Sequence, residues 1–133
     1  MVCLDTDVII HFLRKNKESV ELINKILELK QKIKITSINE FELWKGVYKI
    51  NNRNREKSLK QFLSSIEILN LNSSSAKKAA EIFQILELEG NPVDTLDVMI
   101  AAIAIVKGQP NNKLTYFYYL FLSSASTFIF ICL

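Results

Sequence analysis

Asp5, Glu42 and Asp97 are the acids of this sequence with the least local reason to stand where they do. Asp5 closes the apolar run Val2 to Leu4, Glu42 is set among Phe41, Leu43 and Trp44, and Asp97 adjoins an apolar stretch that continues to Val106. Carboxylates in such company are seldom left unpaired, because removing a charge from water is costly. In an open parallel α/β sheet, ligands bind beyond the carboxyl ends of the strands, where loops lead into helices, and all three acids can project toward that edge. Three converging carboxylates repel one another. They become tolerable around a hard cation such as Mg²⁺ or Mn²⁺, which takes oxygen ligands and keeps waters for chemistry.

The neighbouring acids have simpler explanations. Ser37 and Glu40 form an S-x-x-E pattern, which predicts a capping box and accounts for Glu40. Asp94, following Pro92, is placed to cap the last clear helix. Asp97 in a first turn gains roughly 0.3 to 1 kcal/mol from the helix dipole, but burial beside an apolar run opposes that gain and metal ligation would offset it. Asp7 has two readings of equal weight, as the cap of the first helix or as a hydrogen-bond partner of water held by the metal.

Alternating strands and helices must position these groups. Val2 to Leu4 predicts a strand, the acidic stretch Asp5 to Asp7 a turn, and Val8 to Leu13 a helix. Apolar residues at helical spacing between Ser19 and Lys30 predict an outer helix, and Ile33 and Ile35 a short strand running into Thr36 and Ser37. Ile38 to Ile50 continues as a helix in which Gly46 allows close packing, and Asn51 to Arg55 breaks the pattern. A helix over Lys57 to Ser64, a strand over Ile66 to Leu69 and a helix from Ser75 to Glu89, closed by Gly90, follow. Leu96 to Val106, apolar on every side apart from Asp97, predicts a helix buried between other elements and stopped by Gly108. This order favours an α/β fold with a central parallel sheet and helices on both faces.

At 133 residues and 49% hydrophobic, the chain is long enough for one core and too short for two ordinary domains. A formal net charge of +3 is compatible with a nucleic-acid partner without pointing to one. Cys3 and Cys132 lie at opposite ends, a spacing that suits neither a zinc knot nor a disulfide framework, and the first residues lack the apolar core of a signal peptide. A cytoplasmic location is expected.

Three blocks carry a family resemblance: L-D-T-D-V at Leu4 to Val8, E-L-W-K-G at Glu42 to Gly46, and P-V-D-T-L-D-V-M-I-A-A at Pro92 to Ala102. In order and separation they resemble the PIN domain of VapC toxins, across about the first four-fifths of the chain. The resemblance implies a three-layer α/β/α fold, with Asp5, Glu42 and Asp97 in the metal-binding acidic cluster and Thr6 at the small hydroxyl position after the first Asp. It further implies a Mg²⁺- or Mn²⁺-dependent endoribonuclease in which water activated by the ion attacks a phosphodiester, giving a 5′-phosphate and a 3′-hydroxyl. A VapB-like antitoxin entering the active-site groove, and a homodimer, are the partners it implies besides RNA.

After Gly108 the sequence departs from that pattern. No Asp or Glu follows Asp97, so the family's further acidic position near the metal is lost, and residues 109–133 form an apolar tail in place of the expected final strand and acidic turn. We therefore divide the chain into a PIN-like nuclease domain, 1–108, and an aberrant tail, 109–133. Leu114 to Leu133 is uncharged and has the length of a bilayer span, yet its serines, Thr127 and aromatic residues argue against one. A reading-frame change or other recent lesion accounts for it better. Two alternatives to an active soluble nuclease stay open: a catalytically inactive relic that binds an antitoxin, and a membrane-tethered nuclease.

Lys45, Lys49, Arg53 and Arg55, close in sequence to Glu42, are candidate RNA contacts, although each is equally well explained as a solvated helix end. His11, the only histidine, is expected to be packed or half-exposed on its helix rather than to act as a base, and Trp44 to sit in the core or at a subunit interface.

Overall fold

A computed structural model describes residues 1–90, 94–108 and 129–131, the last three as backbone. Its elements are β1 (Val2–Leu4), α1 (Thr6–Leu13), α2 (Lys17–Glu28), β2 (Ile33–Thr36), α3 (Ser37–Ile50), α4 (Arg53–Ser64), β3 (Glu67–Leu69), α5 (Ser73–Leu88), α6 (Thr95–Gly108) and β4 (Ile129–Ile131). The sheet order is β3-β2-β1-β4. Strands β1, β2 and β3 run parallel, with Val2 opposite Ile33 and Ile35 opposite Ile68, and β4 pairs with β1 antiparallel.

Both faces of the parallel strands are covered, as expected when helices supply the crossovers. Val2, Leu4 and Ile35 pack with Val8, Ile9, Ile23, Ile26, Leu43 and Leu59 from α1 to α4. On the opposite face Cys3 packs against Ile100 and Ala104 of α6. α6 meets α5 through Ala79, Val98 and Ala102, small side chains that let the two helices approach. The all-round apolar character of α6 is thus explained by burial on both sides, and the three-layer α/β/α arrangement is confirmed.

Local junctions differ from expectation where capping chemistry was ambiguous. The cap of α3 is Thr36, whose hydroxyl accepts from the Asn39 N–H while the Asn39 side chain accepts from the Thr36 N–H; the predicted Ser37 and Glu40 box does not form. Thr36 is the last residue of β2 and fully buried, so the strand ends one residue earlier than Ser37 suggested. The break after α3 is short: Asn51 adopts the left-handed conformation and Asn52 caps α4 by accepting from Asn54 and Arg55. Nothing lies within 4 Å of a methyl placed on Gly46, so that glycine is not needed for close packing.

The apolar tail contributes β4, while residues 109–128 and 132–133, including Asn111, Asn112 and Cys132, lie outside the described residues, as does Pro92. Among the described residues no helix is long and apolar enough to cross a membrane.

Ile35, fully buried in the strand between β1 and β3, tests the packing. Ile35→Ala is expected to lower the unfolding free energy by about 2 to 5 kcal/mol, read as a reduced urea midpoint at unchanged slope.

Candidate active site

Asp5 follows β1 directly and occupies the cap position of α1, yet its side chain makes no capping hydrogen bond. This corrects the placing of Asp7, which lies inside the first turn and is exposed rather than capping the helix. Asp5 itself is only 7% exposed. Burial pushes its carboxyl up to about 6; the backbone N–H of Thr6 pulls it down, Asp7 and Asp97 push it further up, and the Asp7 N–H again lowers it.

Asp97 stands in the first turn of α6, half-buried. Its carboxyl is also held above the ordinary range, first by burial and then by the charges of Asp94, Glu42 and Asp7. Asp94 does cap α6, its Oδ1 accepting from the Leu96 N–H at 2.7 Å. Glu42 lies in the second turn of α3, half-buried, and its Oε2 accepts a hydrogen bond from the Thr6 hydroxyl. Asp5 therefore feels the charges of Asp7 and Asp97, and Asp97 those of Asp94, Glu42 and Asp7, with α1, α3 and α6 each supplying one candidate ligand from its amino-terminal half or the residue before it.

These donors suit a hard divalent cation chemically. All are carboxylates, and the raised values of Asp5 and Asp97 mark negative charge that burial disfavours and a cation would relieve. Among the described residues, however, no three His, Cys, Asp or Glu side chains already stand close enough to enclose an ion. Glu42 gives one of its two oxygens to the Thr6 hydroxyl. Asn39, not among the residues singled out from the sequence, donates to Thr6 Oγ1 at 2.9 Å and so joins the same cluster. A polar residue three positions before Glu42, on the same helical face, was the available signal.

Glu42 also borders a groove of about 250 Å³ between α1, α3 and α4. Ile10, Leu13, Leu43, Val47 and Leu59 make its walls apolar, and Arg14 and Arg55 add positive charge. Gly46 opens onto this groove, which explains why it packs against nothing. Lys45, Lys49, Arg53 and Arg55 are all exposed, with Lys45 Nζ 5.5 Å from the Phe41 ring centre. Trp44 is half-buried against the core and stacks on exposed Tyr48 at 5.5 Å. His11 is exposed at the last turn of α1, away from the role of a packed side chain.

A parallel sheet whose carboxyl edge gathers acids from separate helices defines an acidic-site α/β protein, and the sequence matches the PIN domain family over residues 2–115. The chain belongs to that family, as a VapC-like member. It is 35% identical over 100 residues to Ribonuclease VapC3 of Methanocaldococcus jannaschii, a match covering 75% of this chain and 94% of that protein. The fold is shared with VapBC2 from Rickettsia felis bound to a DNA fragment from their promoter, at a TM-score of 0.68, 27% identity, and coverage of 79% of this chain and 80% of that one. DNA-bound VapBC from Salmonella typhimurium gives a TM-score of 0.63 and 30% identity, covering 77% and 76%.

Asp5 makes the metal-free protein pH-sensitive. Unfolded, its carboxyl ionises near 3.8; folded, near 6, so over that interval the native state keeps a proton that the unfolded chain has released. The associated stability is intact below pH 3.8 and is lost as pH rises to about 6, by up to ~3 kcal/mol. Urea unfolding in EDTA should therefore show Asp5→Asn more stable than the wild type at pH 7, with the difference shrinking toward pH 4.

Proposed function

We propose that this protein is a divalent-metal-dependent endoribonuclease, the toxin of a VapBC-type pair, with Asp5, Glu42 and Asp97 holding Mg²⁺ or Mn²⁺. The observation that carries this reading is that burial raises both Asp5 and Asp97 while Asp97 adds to the rise of Asp5 and Glu42 to that of Asp97, which joins the three in one acidic cluster. The family supports the reaction, since the relative from Methanocaldococcus jannaschii is named a ribonuclease. Bound there, the cation would supply an activated water and neutralise charge on the scissile phosphate.

The chain's own residues do the positioning. Asp5 is fixed by the end of β1, Asp97 by the first turn of α6, and Glu42 by its bond from Thr6. Asp94 stays with the cap of α6, and Asp7, exposed beside the cluster, is available to hold water near the cation. Lys45, Lys49, Arg53 and Arg55 flank Glu42 on α3 and the start of α4 and suit the phosphates of an RNA strand. The solved relatives are VapBC pairs, and the apolar groove bordered by Glu42 suits the apolar side of a VapB-like antitoxin better than it suits RNA. Exposed Phe41, Tyr48 and Leu88 leave apolar surface for a homodimer. A cytoplasmic site of action follows from an RNA substrate.

Cleavage of a mixed RNA pool by the purified protein in Mn²⁺ tests the reading. We expect cutting that EDTA abolishes and that Asp5→Asn or Asp97→Asn each reduces by about 10²-fold or more. A well-folded wild type that cuts nothing would instead favour the antitoxin-binding relic. Salt titration of RNA binding tests the basic residues: Lys45→Ala and Lys49→Ala should each lower the slope of log K against log salt by about 0.7.

A further inference from the structure

Thr6 stands in the middle of a buried chain of hydrogen bonds whose direction is fixed by its first member. Asn39 Oδ1 accepts from the Thr36 backbone N–H at 2.8 Å and from Thr36 Oγ1 at 2.7 Å. A backbone N–H only donates, so the amide oxygen of Asn39 must face Thr36 and its NH₂ must face away. That NH₂ donates to Thr6 Oγ1 at 2.9 Å. The single hydroxyl proton of Thr6 then goes to Glu42 Oε2. Thr36 and Asn39 are fully buried and Thr6 is nearly so, which shields the chain from competition by water. Every side-chain donor points the same way, and the chain ends on a carboxylate, where charge assistance and mutual polarisation reinforce it.

We propose that Asn39 is a positioning residue for Glu42: its amide, locked by Thr36, keeps the Thr6 proton directed at Oε2 and so reserves the other carboxylate oxygen for a divalent cation. The inference rests on the metal-site reading of Glu42. The competing account makes Asn39 only the partner of Thr36 in the cap of α3.

A double-mutant cycle of Asn39→Ala and Thr6→Val separates the two, with Mn²⁺ affinity by calorimetry and Tm as readouts. We expect each single variant to weaken Mn²⁺ binding by about 10-fold or more. The double variant should bind no more weakly than the worse single one, because Asn39 acts through Thr6, while Asn39→Ala lowers Tm in both backgrounds. Thr6→Ser, which keeps the hydroxyl, should restore affinity. An Asn39→Ala protein that loses Tm but binds Mn²⁺ within about twofold of the wild type overturns the proposal, and so does a loss that multiplies with that of Thr6→Val. If Asn39→Ala fails to fold, Asn39→Asp decides: it keeps the oxygen Thr36 needs and turns the donor into an acceptor that draws the Thr6 proton from Glu42. Weaker Mn²⁺ binding supports the proposal, whereas the stronger binding expected from added negative charge alone overturns it. A wild type that binds Mn²⁺ but cuts no RNA refutes the nuclease and leaves this cycle fully readable; one that binds no Mn²⁺ overturns both.

Discussion

The structure depends on a strand of three residues that must be buried on both faces. Val2 and Leu4 enter the core formed with α1 to α4, and Cys3 enters the one formed with α6. Side chains alternate along a strand, so a slip of one residue would exchange the two sets and place each against the wrong helices. Register against β2 is therefore set by packing, and with it the point at which β1 must end. The next residue is Asp5. Its burial is a consequence of where the strand stops, and the α1 helix begins immediately afterwards because Thr6 already has helical geometry. The raised carboxyl of Asp5 is thus a product of core packing several residues long.

That placement is unfavourable in the protein alone. The ion pairs found among the described residues join Lys17 to Glu21, Lys34 to Glu67, Lys60 to Glu56 and Lys78 to Glu81, none of them at the acidic cluster. Surface pairs of this kind contribute little, and among the described residues no ion pair gives Asp5 or Asp97 a cationic side chain as counter-charge. Stability is given up at this edge of the sheet, and packing elsewhere has to maintain it. The Thr36–Asn39–Thr6–Glu42 chain shows how: its first bonds stabilise the start of α3, and its last holds a carboxylate, so the same buried groups serve the fold and the site.

Much of this was legible in the residues because it rests on periodicity and burial. β1 has the predicted bounds, α6 was recognisable from its unbroken apolar surface, and the acids on α3 and α6 stood out against apolar neighbours. The junctions were not legible. In Ile35 to Glu40, both Thr36 with Asn39 and Ser37 with Glu40 have capping chemistry, and only the end of β2 decides between them. Pairing with β3 continues through Thr36 to Leu69, which removes Ser37 from the cap and leaves its hydroxyl to accept from the Leu71 N–H. Asn39 was not legible for the same reason, since its partners Thr36 and Thr6 lie on other elements. Asp7 failed as a cap because β1 ends at Leu4, giving the cap position to Asp5. The tail is a different case: its β-branched residues suit a strand, but which strand it pairs with depends on an edge of the sheet that local sequence does not specify.

Glu42 is where the separate constraints meet. Leu43 beside it is buried in the core, which fixes the rotation of α3 and directs the preceding residue toward the edge of that core. One Glu42 oxygen is engaged by Thr6, its charge raises the carboxyl of Asp97, and the same side chain borders the groove that holds Arg14 and Arg55. Filling the groove removes water from one side of Glu42, which strengthens every charge interaction it makes. Neutralising the acidic cluster changes the field that the groove's arginines experience. The same carboxylate thus belongs to both the acidic cluster and the groove, so a charge brought to either is felt through Glu42.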